Sequence, residues 1–220
     1  MKNRHLPLPN QRNYEYACEL AYKLACEQLA KIDDIEHQCL KSGAQCQLAD
    51  SKKVIIINYL NQPYLITLPE IEISLTDSGE KVPIRDEVLI LHYLTSAKNT
   101  PLANKLITFK ELPEGSNYFP TFYNRTIKPL LDHFGKEPHR LVAVAEKLGG
   151  YKADYGDVAV TINAFSRVPI TIVLWRGDDE FAPEGSIIFD ATISDYLCTE
   201  DITTLCETIT WRLVSFLRGD

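Results

Sequence analysis

Apolar positions change spacing along the chain, and each change predicts an element. In residues 13–31, Ala17, Ala21, Leu24, Ala25 and Leu29 recur at helical spacing, with Glu15, Glu19, Lys23 and Glu27 off that stripe. Residues 38–52 lack a period and contain Ser42-Gly43-Ala44, so they read as loop. Residues 54–60 are β-branched and predict a strand, turned by Asn61-Gln62-Pro63 into a second strand at 64–68. Residues 71–75 alternate with period two and predict a third, closed by a turn at Asp77-Ser78-Gly79-Glu80. Pro83 then opens a helix over 84–97 that is apolar nearly all round and therefore central.

The second half repeats the alternation. Residues 106–109 predict a short strand, 121–134 a helix stopped by Gly135, and 137–148 a helix stopped by Gly149-Gly150. Strands follow at 158–165, 169–175 and 187–190. A closing helix over 199–217 buries Ile202, Leu205, Cys206, Ile209, Leu213 and Phe216, with Thr199 as its N-cap. Short turns between neighbouring strands argue for antiparallel pairing. The expected class is α+β: a mixed, largely antiparallel sheet packed with about five helices. With no repeat and no linker, residues 1–220 read as a single α+β domain, with 1–40 a peripheral N-terminal helix.

Composition excludes several classes. The 220 residues are 45% hydrophobic and 24% charged, ordinary for a soluble globular protein. No apolar run reaches the roughly 18 residues of a membrane helix, and Leu6-Pro7-Leu8-Pro9 is no signal-peptide core, so a cytoplasmic location without membrane partners is expected. The net charge is −7, and no basic patch that would bind nucleic acid is evident. Cys18, Cys26, Cys39, Cys46, Cys198 and Cys206 contain no Cys-x-x-Cys pair. They read as reduced, packed thiols rather than as a metal or cluster site.

Charge is concentrated late. From Gly177 to Glu207 the chain has nine acidic residues and no Lys or Arg. The densest part, Trp175-Arg176-Gly177-Asp178-Asp179-Glu180-Phe181, follows a buried-looking strand, and its carboxylates together with Asp190 are candidates for a cation or a basic partner. It resembles the signature of diguanylate cyclases, but Asp178 replaces a glycine there and would repel nucleotide phosphate. His92 on the apolar helix is a candidate acid or base, or a buried core histidine. Arg125 and Arg167 are candidate anion contacts, and Tyr118, Phe119, Phe122, Tyr123 and Trp175 candidate pocket aromatics. Cys198 stands where a helix N-terminus lowers a thiol pKa, without a histidine beside it in sequence.

The chain resembles the uncharacterised prokaryotic family catalogued as domain of unknown function 3786. Leu91-His92-Tyr93-Leu94, Phe109-Lys110-Glu111-Leu112-Pro113, Leu148-Gly149-Gly150, Arg167-Val168-Pro169, the segment 174–181 and Tyr196-Leu197-Cys198-Thr199-Glu200-Asp201 carry the resemblance. It implies a soluble protein typical of anaerobes, some of whose relatives resemble fusions to an iron–sulfur domain of corrinoid proteins; the cysteine spacing here departs from that domain. Two functions are expected. One is a binding or accessory domain whose acidic segment, with Trp175, Asp178, Asp179, Glu180 and Asp190, contacts a cation, a basic protein partner or a small ligand. The other is an enzyme of anaerobic one-carbon or corrinoid metabolism using carboxylates and His92.

Overall fold

The computed structural model describes residues 11–49, 51–76, 81–178 and 180–219. The turn expected at 77–80 and the side chain of Asp179 lie outside them. The chain runs through α1 (Gln11–Leu29), α2 (Ile35–Ser42), β1 (Gln45–Ala49), β2 (Lys52–Tyr59), β3 (Gln62–Leu68), β4 (Glu72–Leu75) and α3 (Ile84–Ser96). It continues through β5 (Leu106–Thr108), α4 (Gly115–Arg125), α5 (Ile127–Phe134), α6 (Arg140–Ala145), β6 (Tyr151–Ala153), β7 (Val158–Phe165), β8 (Val168–Trp175), β9 (Glu184–Asp190) and α7 (Thr199–Arg218). The class is α+β. There are two sheets rather than one, ordered β1-β2-β3-β4 and β5-β9-β8-β7-β6, and every pairing among the described strands is antiparallel.

Three local expectations are corrected. Residues 38–52 are not loop but the end of α2, the strand β1 and the start of β2. Asp34 caps α2 by accepting from the His37 amide at 2.9 Å, and Gly43 closes it in the left-handed conformation. β1 escapes a period-two search because it is an edge strand, with Gln45 and Gln47 exposed. The aromatic helix starts at Gly115 rather than near Thr121, and breaks at Thr126 into α4 and α5. Pro120 sits inside α4.

The core is continuous across both sheets. Tyr64, Tyr59, Phe165, Tyr93 and Tyr196 form a string of rings with successive centroid separations of 5.7, 4.9, 4.0 and 5.9 Å. The string runs from β3 and β2 through β7 to α3 and the approach to α7, and each pair adds directional attraction to its buried area. α3 is central as expected: Leu89, Ile90, Leu91, Tyr93 and Leu94 are buried. The sheets also meet through backbone. Leu60 and Asn61 form the β2–β3 tip with φ of 48° and 65°. The Leu60 amide donates to the Ala164 carbonyl at 2.9 Å, and the Leu60 side chain is buried. Gly149, at φ +68°, lies against Asn61 so closely that a Cβ would come within 2.8 Å of it.

Ionic groups complete this junction. The Arg212 guanidinium on α7 donates to Asp86 on α3 at 2.6 Å, and the Tyr59 hydroxyl donates to the other Asp86 oxygen at 2.9 Å. The Asp86 side chain is 5% exposed. One charge pair thus binds α3, α7 and β2, with the Asp86 carboxylate shielded from water that could replace its partner.

Candidate functional site

The acidic segment does not converge. Asp178 accepts from the amides of Glu180 at 2.9 Å and Phe181 at 2.7 Å, which ties the β8–β9 turn and lowers its pKa. Asp190 is buried. Burial pushes its carboxyl up, but the hydroxyl and amide of Thr192 and the amides of Ala103 and Asn104 outweigh that and leave it lowered. Asp195 pairs with Lys98 at 2.9 Å and accepts from Thr100 at 2.8 Å. Glu207 accepts from Arg85 at 2.7 Å, with Arg125 at 3.9 Å. A run of charge in sequence is therefore dispersed among separate partners, and Asp190 is a structural residue of the turn after β9.

The remaining candidates are also separated. Trp175 ends β8, 41% exposed, with the Gly156 turn against its ring. Asp178 and Glu180 line a cavity of about 740 Å³ with Lys136, Arg176 and Phe181. That cavity shares no lining residue with the one containing His92. Arg167 donates to Asn99 at 3.2 Å. Phe122 is core, stacked on Phe109 at 3.8 Å. His133 donates through Nδ1 to the Pro129 carbonyl and accepts through Nε2 from Arg218, both at 2.8 Å. Among the described residues, no three His, Cys, Asp or Glu side chains are grouped to hold a metal ion.

Four of the predicted residues do meet: His92, Arg125, Tyr118 and Cys198. His92 and Arg125 line a cavity of about 410 Å³ between α1, α3, α4 and the N-terminus of α7. Arg85, Tyr118, Cys198, Glu200 and Asp201 share it, with Val88, Leu89, Ala17 and Ala21 as apolar wall. His92 hydrogen-bonds through Nδ1 to Asp201 Oδ1 at 2.8 Å. That bond raises the His92 pKa; burial opposes it, and the charges of Asp201 and Glu200 reinforce it. The ring is therefore biased toward imidazolium, with its Nδ1–H donated to Asp201.

The start of α7 holds Asp201 in place. Cys198, not Thr199, is the N-cap: its sulfur accepts from the Asp201 amide at 3.4 Å and its thiol donates to Asp201 Oδ2 at 3.1 Å. Thr199 instead donates to the Pro113 carbonyl at 2.8 Å. Burial pushes the Cys198 thiol up to about 11, and its hydrogen bond goes to a carboxylate rather than to His92. Both effects disfavour the thiolate, and Cys198 serves here as the cap of α7. Arg85 has no signal in the sequence, and Asp201 and Glu207 stand there only among the nine late acids. Arg85 and Glu207 are 122 residues apart, and only α3 packing beside α7 joins them.

A family model described as Domain of unknown function (DUF3786) matches residues 34–212. The chain belongs to this family. In this DUF3786 member the matched stretch contains Arg85, His92, Arg125, Asp201 and Glu207, while α1 precedes it. No curated protein matches the chain, and no solved structure does. No helix among the described residues is long and apolar enough to cross a membrane.

Proposed function

We propose that this DUF3786 chain is a binding module for a small organic anion, held in the cavity between α1, α3, α4 and α7. The observation that supports this reading is the convergence of two guanidinium groups, Arg85 and Arg125, and the His92 imidazole on one cavity with an apolar wall. Glu207 and Asp201 fix Arg85 and His92 at 2.7 and 2.8 Å, so both are oriented before a ligand arrives. Arg125 is 48% exposed and stands 3.9 Å from Glu207, too long for a firm hydrogen bond. It is the cation that a ligand carboxylate or phosphate can recruit as a planar, bidentate donor. The small-ligand form of the binding-domain reading is thereby favoured over a cation or basic partner, because Asp190, Asp195, Asp201 and Glu207 already have partners of their own.

Titration calorimetry with butyrate, benzoate and inorganic phosphate tests it. Binding to the unaltered protein, weakened about tenfold or more in both Arg125→Gln and His92→Gln, is the expected result. Equal affinity in all three proteins removes the site. A second reading, an enzyme using His92 as acid or base, draws on the same Asp201 hydrogen bond. It requires turnover that His92→Gln abolishes while ligand affinity at Arg125 survives.

A further inference from the structure

The cavity has two chemically different ends, and they come from different parts of the chain. The cations and carboxylates stand on α3, α4 and α7, inside the family-matched stretch. The opposite wall is α1, which precedes that stretch and presents Ala17, Cys18 and Ala21. The second half of α1 is firmly seated. Ala25 and Leu29 are buried, and the Tyr22 hydroxyl donates to the Ile71 carbonyl at 3.0 Å. Its larger apolar residues, Tyr16, Leu20 and Leu24, are 68%, 45% and 48% exposed and point away from the cavity. Ala17 and Ala21 are the short side chains with which this helix borders the cavity, beside Val88 and Leu89 of α3.

We infer that α1 is a specificity element: Ala17 and Ala21 leave room for an apolar tail, so the preferred ligand is a carboxylate with a short aliphatic chain rather than a bare anion. The inference rests on the anion-binding reading above. The head group would lie at Arg125 and His92, and the tail would run along Val88 toward Ala21. Each buried methylene of such a tail contributes a transfer free energy equivalent to roughly fourfold in affinity. A leucine at position 21 or 17 would fill that space without touching the cations.

Chain-length titration separates the two claims. Acetate, butyrate, hexanoate and octanoate are titrated into the full chain, observed by NMR or calorimetry, with Ala21→Leu and Ala17→Leu as variants and circular dichroism to confirm folding. The expected result is affinity that climbs with chain length in the unaltered protein. In either leucine variant, hexanoate should then bind at least tenfold more weakly while acetate is unchanged. Affinity independent of chain length, or a chain-length profile in both variants that matches that of the unaltered protein, overturns the role of α1 and leaves the anion site standing. Failure of every carboxylate to bind the unaltered protein overturns the anion site and this inference with it.

Discussion

Replacing Arg212 with methionine is the sharpest test of how the molecule is held together. Methionine keeps much of the stem that packs near the Tyr59 ring, where the guanidinium carbon lies 5.6 Å from the centroid. What is lost is the partner of Asp86, whose side chain is 5% exposed and would retain only the Tyr59 hydroxyl at 2.9 Å. Breaking one side of a buried ion pair costs about 3–5 kcal/mol, because the remaining charge is left in a poor solvent. That is a large share of the roughly 5–15 kcal/mol by which a domain is stable. Urea unfolding followed by far-ultraviolet circular dichroism measures it, comparing midpoints at equal slope. The double variant Asp86→Leu/Arg212→Met should recover about half of the loss or more, since it leaves no charge behind. A loss below about 1 kcal/mol in Arg212→Met would equal that of an exposed pair and refute the junction as described.

Other outcomes follow from individual groups. The folded His92 pKa lies above its unfolded value, so its stabilisation is complete below about pH 6.5 and is lost as pH rises through the folded value. The stability gap between the unaltered protein and His92→Gln should therefore shrink between pH 6 and pH 9, and a gap that widens contradicts the Asp201 hydrogen bond. Asp190 has the opposite sign, with a lowered pKa whose contribution is present above about pH 3.9 and lost on acidification. Asp190→Ala removes the acceptor shared by Thr192, Ala103 and Asn104 and should cost about 2–3 kcal/mol at neutral pH by urea unfolding. Cys198→Ser exchanges a weak cap for a preferred one and should stabilise by about 0.5 kcal/mol or leave stability unchanged. Marked destabilisation would mean that the thiol packs rather than caps.

Elements with an unambiguous burial pattern were legible in the sequence. β7 and β8 are β-branched and buried on both faces, and the stripe of α7 from Ile202 to Leu213 is found buried. α2 and β1 were not legible. Gln45 and Gln47 are exposed at an edge, and the buried Gln38 reads as polar although its amide donates to the Leu94 and Ala97 carbonyls. The site was half legible. His92 and Arg125 stood out as unusual residues in apolar or aromatic surroundings. The acidic run misled because adjacency along a chain says nothing of direction: Asp190, Asp195, Asp201 and Glu207 each turn to a different partner, supplied by residues 85 to 103.

The seam between the sheets restricts where this chain can grow. Hairpin ends ordinarily accept extra residues because they project into water. Here the end formed by Leu60 and Asn61 is an inner hinge pin, bonded to Ala164 on one side and pressed on Gly149 on the other. Lengthening it by even one residue would pry apart two sheets that share a single interior, so variation in length within this architecture belongs elsewhere, at the outward bend between β8 and β9 before any other.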